Sequence, residues 1–100
     1  MLVVAGIAQI DPRRRDEVVA AAIQVVRKTR ALPGCLTFTC SSDLEDPDLF
    51  HVFLEWQSAE TLFERLTEDR LAAIRKRLDE LGVRELSIQR FEIASVGPVV

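Results

Sequence analysis

At 100 residues, 48% of them hydrophobic and 29% charged, the chain has the size and composition of one compact domain that buries roughly two thirds of its unfolded surface, and it lies well outside the disordered regime. Its formal charge of -3 and the lack of a one-sided excess of Lys and Arg argue against nucleic acid as a partner. Its apolar runs are too short for a membrane span, and the amino terminus has no basic lead-in to a secretory segment, so residues 1–100 are expected to form a single cytoplasmic domain with reduced thiols.

Leu2 to Ile10 is nearly all apolar and rich in β-branched residues, interrupted only by Gly6 and Gln9, which predicts a central strand buried on both sides. Gly6 allows another backbone or a ligand to come close. Asp11-Pro12 then reads as a helix N-cap followed by Pro at the first helical position. The helix should run to about Leu32, with Val19, Ala22, Ile23 and Val26 as its apolar stripe, widened by Val18 and Val25. The Arg13-Arg14-Arg15 run lies at the unfavourable end of the helix dipole, where Asp11, Asp16 and Glu17 offset it. It reads as a solvated face, with an anion patch as the alternative.

Pro33-Gly34 ends the helix. From Cys35 to Ser41 the residues alternate, which predicts a strand with Leu36, Phe38 and Cys40 on one face and Thr37, Thr39 and Ser41 on the other. The odd spacing of Cys35 and Cys40 would send their side chains to opposite faces, so no disulfide is expected between them. Ser42 to Asp48, rich in Asp, forms a turn that makes an antiparallel hairpin with the next strand.

Leu49 to Leu66 is the stretch around which the rest is placed, because period 2 gives way to period 3.6 within a few residues. Phe50, Val52, Leu54 and Trp56 point to one face of this strand, and Leu49, His51, Phe53 and Glu55 to the other. Ser58 is a good N-cap for a helix beginning near Ala59. Leu62, Phe63 and Leu66 fit one stripe, whereas Leu71, Ile74, Leu78 and Leu81 fit another. Thr67 reads as a second N-cap, so a kink or two short helices are expected. Gly82 ends the second piece, and Leu86 to Val96 is the last strand.

Strand, helix, strand, strand, helix, strand is the order of an α+β ferredoxin-like βαββαβ domain, with one antiparallel four-stranded sheet and two helices on one face. The other sheet face would be open. Because the first three strands are apolar on both faces, a homodimer packed through the sheets is the expected remedy.

The residues offer little overt chemistry. No Gly-rich phosphate loop, paired Cys or His ligands or dinucleotide fingerprint occurs, so neither a cofactor nor a metal site is expected. His51, the single His, reads as a partly buried His hydrogen-bonded to its surroundings, with a proton acceptor near neutral pH as the functional alternative. Cys40 reads as a small core residue and Trp56 as a packing residue at the corner between sheet and helix.

An apolar strand closed by Glu55-Trp56, a Ser58 cap, Leu62 and Phe63 on the following helix, and Pro33-Gly34-Cys35 opening the preceding strand together resemble the small antibiotic biosynthesis monooxygenase domains over nearly the whole chain. The resemblance implies a dimeric α+β barrel, with a pocket for small aromatic molecules between the sheet and the helices of each subunit. Members of this kind often carry His at the positions of Arg65 and Arg70. The haem-degrading branch uses an Asn on the first strand, a Trp where Arg65 stands and a His near Arg75. This chain has no Asn and no Tyr, and its three positions are Arg, which disfavours haem degradation.

What remains implied is oxidation of a small aromatic quinol, anthrone or polyphenol by O2 without a cofactor. His51 would deprotonate the substrate, Arg65 would hold its anion, and Phe38, Phe53, Trp56, Phe63 and Leu66 would contact it. The alternative is a non-catalytic dimeric module that binds a small aromatic ligand, and a purely structural dimer is the third reading.

Overall fold

The computed structural model describes residues 1–100 and builds a five-stranded antiparallel sheet with three helices on one face. Strand β1 (Leu2–Gln9) lies in the middle. It pairs along its full length with β3 (Leu49–Trp56), and β3 pairs with the edge strand β2 (Cys35–Ser42). The other edge of β1 takes two short strands, β4 (Arg84–Glu85) and β5 (Gln89–Glu92). No helix is long and apolar enough to cross a membrane.

The helices start and stop where local chemistry dictates. Asp11 accepts the Arg13 amide at 3.0 Å, but the turn it caps, Pro12–Arg14, is a 3₁₀ turn that leads into α1 (Arg15–Arg30). Ser58 Oγ accepts the Thr61 amide at 3.1 Å and opens α2 (Ala59–Arg65). Thr67 Oγ1 accepts the Arg70 amide at 3.4 Å and opens α3 (Glu68–Glu80). The expected break between the two apolar stripes is therefore real. Each half needs its own cap because Leu66 and Thr67 leave the helical path.

Residues paired across β1 and β3 share a face, so the register fixes what the sheet presents on each side. Leu2, Val4, Gly6 and Ala8 oppose Trp56, Leu54, Val52 and Phe50, and this face carries the helices. The core on it divides into two clusters. Leu2, Leu54 and Trp56 pack with Leu62 of α2 at one end, while Ile10 and Phe50 pack with Val18 of α1 and Leu81 at the other. Val3, Ala5 and Ile7 oppose Glu55, Phe53 and His51 on the remaining face, which no element of the chain covers.

Three expectations change. The helix expected to reach Leu32 ends at Arg30, because Pro33 and Gly34, the latter at φ +100°, turn the chain early. The last strand, expected as one piece over Leu86 to Val96, is split in two. The amides of both Leu86 and Ser87 turn to the Ile7 carbonyl, at 2.9 and 3.4 Å, and break the ladder between β4 and β5. Finally, a bulge at Leu36 shifts the β2 register, so that Cys35 opposes Trp56 but Thr37 opposes Glu55. Leu36 is therefore exposed and does not share the inward face of Phe38 and Cys40. Cys35 and Cys40 both face the helices, each free and packed against a different core cluster.

Candidate functional site

The main cavity, of about 410 Å³, lies between the sheet, α1 and α3. One wall comes from α1, with Val18, Ala22, Val25 and Val26, and the opposite wall from α3, with Ala73, Ile74 and Leu78. The sheet supplies the floor through Phe38, Cys40, Phe50 and Val52. Val25 and Ile74 are 42% and 36% exposed, which is the signature of apolar groups facing an open pocket rather than a closed core.

Only two charged side chains reach this lining, Arg77 of α3 and Glu85 of β4. Arg77 also meets Glu80 at 3.7 Å on the helix surface. Burial pushes the Cys40 thiol above its ordinary range, so at neutral pH it is a protonated, apolar part of the floor. No group of three His, Cys, Asp or Glu side chains converges in a way that could hold a metal ion.

Of the residues expected to act on or contact a substrate, Phe38 alone lines this cavity. Trp56 and Leu66 belong to the core cluster at the α2 end, where Trp56 is 1% exposed and its indole Nε1 has no hydrogen-bond partner. Phe63 lies half exposed on α2 beneath the Arg90 guanidinium, which sits 5.6 Å from its ring centre. Arg65 is exposed and its carbonyl accepts a hydrogen bond from Arg70 at 2.7 Å, closing the end of α2.

His51 and Phe53 correct the expectation of one shared pocket. Both have the strand parity of the open face, opposite to Phe50 and Val52, so the sheet itself separates them from the cavity. His51 instead lies 2.7 Å from Asp43 at the head of the β2–β3 hairpin. Arg77 and Glu85 were missed because nothing in their spacing distinguishes them from ordinary surface charges. The signal available was Leu78 and Leu81 beside Arg77, which marks the helix face that meets the sheet.

A second groove, of about 430 Å³, runs along the outer side of α1 against the edge strand. It shares Ala22, Val26, Cys40 and Phe50 with the main cavity and is bordered by Arg15, Arg27 and Arg30. Two of these arginines are held in place. Arg15 donates to the Pro47 carbonyl and to Ser42 Oγ, the latter at 2.9 Å, and lies over the Phe50 ring. Arg30 Nε donates to the Phe38 carbonyl at 2.9 Å and so blocks part of the exposed edge of β2. The Arg13-Arg14-Arg15 run is thus neither a free face nor one patch. Arg13 pairs with Asp11, Arg14 pairs with Glu17 and donates to the Glu80 carbonyl, and only Arg15 reaches the groove.

A family model described as antibiotic biosynthesis monooxygenase matches residues 1–82. No curated protein shows a significant match to the chain. Among solved structures, the chain is similar to a candidate antibiotic biosynthesis monooxygenase from Deinococcus radiodurans, with 22% identity, 100% of this chain and 99% of that one covered, and a TM-score of 0.87. It is also similar to a conserved protein of unknown function and possible oxidoreductase from Bacteroides thetaiotaomicron, with 18% identity, coverage of 92% and 96%, and a TM-score of 0.79. A third, a candidate member from Chloroflexus aurantiacus, is 18% identical over 99% and 98% of the two chains, with a TM-score of 0.73. At these identities the structural likeness speaks for the fold.

Proposed function

The chain belongs to the antibiotic biosynthesis monooxygenase family, and we propose that it oxidises a small aromatic quinol, anthrone or polyphenol with O2 in the cavity between the sheet, α1 and α3. The observation that carries this reading is the cavity itself, whose size and almost wholly apolar lining suit a flat aromatic body. Such substrates supply all the electrons. An anthrone methylene and O2 give a carbonyl and water, and a quinol and O2 give a hydroxyquinone and water. Each is a four-electron oxidation of the substrate that needs no further reductant, and this is the basis for reading the reaction as cofactor-independent.

In this reading the protein orients the ring, excludes water and favours the phenolate, which is the form that passes an electron to O2. On the same reading Arg77, which lines the cavity, holds the phenolate oxygen through its planar fork, and Glu85, also in the lining, accepts the proton. These roles replace those expected of Arg65 and His51, which the fold keeps out of the cavity. The uncovered sheet face, with Phe53 39% exposed beside Val3, Ala5 and Ile7, supports pairing with a second copy through the sheets. The two free cysteines support a cytoplasmic setting.

The test is oxygen consumption with product mass over a panel of hydroquinones and hydroxyanthrones, using metal-stripped protein against a protein-free autoxidation control. Gain of one oxygen atom above the control rate, reduced in Arg77→Gln, supports the reading. A rate equal to the control across the panel, with tight binding of the same compounds, favours the non-catalytic binding module.

A further inference from the structure

The groove outside α1 carries a feature that oxygenation does not explain. Three guanidinium groups, those of Arg15, Arg27 and Arg30, border it, and no carboxylate lines it. None of the three takes part in an ion pair, although Arg13, Arg14 and Arg77 all do. The chain as a whole is acidic, at a formal charge of -3, so three uncompensated positive charges around one concavity are a local departure rather than a reflection of composition. Between the arginines, the groove surface is apolar, formed by Val19, Ala22, Ile23, Val26 and Phe50, with Ile23 43% exposed.

We infer that this groove is a binding site for an aromatic carboxylate or a similar amphipathic aromatic anion, with its charged group held by Arg15, Arg27 and Arg30 and its ring laid along α1. The charge and the apolar strip are both needed for that class. A free inorganic anion leaves the strip wet, and a neutral aromatic leaves the guanidinium groups without counter-charge. Arg15 and Arg30 are preorganised, because each is fixed by hydrogen bonds to the backbone or side chains of the edge hairpin. Their remaining N–H groups therefore bind an anion with little further ordering, and the planar fork matches a carboxylate. Arg27 makes no side-chain hydrogen bond or ion pair and is free to close over the ligand. The inference stands on the groove alone and does not depend on the oxygenation chemistry proposed for the inner cavity.

The test is a fluorescence titration of the full chain with 8-anilinonaphthalene-1-sulfonate and with N-phenyl-1-naphthylamine, which has the same aromatic skeleton without the anionic group. The sulfonate should bind at least about tenfold more tightly, and Arg27→Gln should remove about tenfold of its affinity, the effect of losing one charge-assisted contact. The same variant should leave the neutral probe unchanged. Arg75→Gln, which alters the net charge equally but lies on the exposed side of α3, should leave both probes unchanged. 1-Naphthoate should displace the sulfonate at concentrations where acetate at matched ionic strength does not. Equal affinity for the two probes, an equal loss of both in Arg27→Gln, or displacement by acetate as readily as by naphthoate would each overturn the inference. Oxygen uptake is measured separately, so a silent enzyme with a selective groove leaves this inference standing, while an active enzyme with an unselective groove removes it alone.

Discussion

The Nε2 atom of His51 lies 2.7 Å from Oδ1 of Asp43, joining the third strand to the head of the hairpin that precedes it. The other oxygen of the same carboxylate accepts the amides of Glu45 and Asp46, both at 3.0 Å. Asp43 therefore organises the first half of the SDLEDPD turn, Asp46 Oδ1 holds the second by accepting the Asp48 amide at 3.0 Å, and the single histidine of the chain serves that turn rather than the cavity.

A pH dependence follows from this arrangement. The His51 contact, and then the Asp46 and Glu45 amides, hold the Asp43 carboxyl below the usual carboxylate range. A lowered folded value means that the stabilisation is complete above the ordinary carboxylate range and is lost as pH falls through the lower folded value. Amide-exchange protection at Glu45 and Asp46 should hold at neutral and mildly acidic pH and fall only in stronger acid. Asp43→Ala should abolish it at every pH, and undiminished protection in that variant would show that other contacts hold the turn.

Gly34 combines a left-handed backbone with a crowded setting. At φ +100°, a Cβ there would lie 2.5 Å from Thr61 Cγ2 and 2.9 Å from Trp56 Nε1. Gly34→Ala should lower stability to unfolding by at least about 1–3 kcal/mol, from backbone strain with displacement of the indole added. Urea unfolding followed by Trp56 fluorescence reads both the loss and the altered ring environment.

Gly6 has an ordinary backbone conformation, but its Cβ would sit 2.0 Å from the Ser87 carbonyl oxygen, a backbone atom that cannot swing aside. Gly6→Ala should push residues 86–88 off β1, withdraw Ile88 from the cavity lining and cost about 1–3 kcal/mol. Limited proteolysis should then cut between β4 and β5 faster than in the parent chain, where the Leu86 and Ser87 amides are tied to the Ile7 carbonyl. An unaltered digest would mean that the crossing tolerates a methyl group.

Ala73 is exposed at the mouth of the main cavity, so Ala73→Trp should change stability by no more than about 0.5 kcal/mol while filling the space meant for an aromatic ring. Oxygen uptake should disappear. Retention of uptake would place the substrate elsewhere.

Phe53 reports on the open sheet face. If two copies pair there, Phe53→Glu puts two like charges into an apolar contact and should yield monomers by sedimentation velocity with secondary structure intact. A parent chain that is monomeric at the same concentrations would remove the sheet-to-sheet pairing from the proposed function.

Features governed by local chemistry could be read from the residues alone. Ser58, Thr67 and Asp11 announce helix or turn starts whatever surrounds them, and the switch of period after Trp56 is visible because both halves are long enough to show it. Features that depend on pairing could not. The bulge at Leu36 inverts the faces of Cys35 and Leu36, yet Cys35 to Ser41 alternates in sequence as a regular strand would. The split between β4 and β5 arises where residues 86–88 cross Gly6, some eighty positions away. The site suffered most, since Arg77, Glu85 and the groove arginines acquire meaning only when α1, α3 and the sheet enclose a space. His51 drew attention as a lone titratable group, and strand parity sends it to the wrong side.

The central position of β1 also shapes how the chain must assemble. Leu2–Gln9 precedes every other strand of the sheet, but its partners on one edge are Leu49–Trp56 and on the other Arg84–Glu85 and Gln89–Glu92. Until those segments have been made, an apolar strand waits with both hydrogen-bonding edges unfilled. Pairings at such separation favour slow folding and leave the nascent strand open to capture by other chains. Folding yield should therefore be more sensitive to the pace of synthesis and to chaperone supply than the stability of the finished sheet suggests.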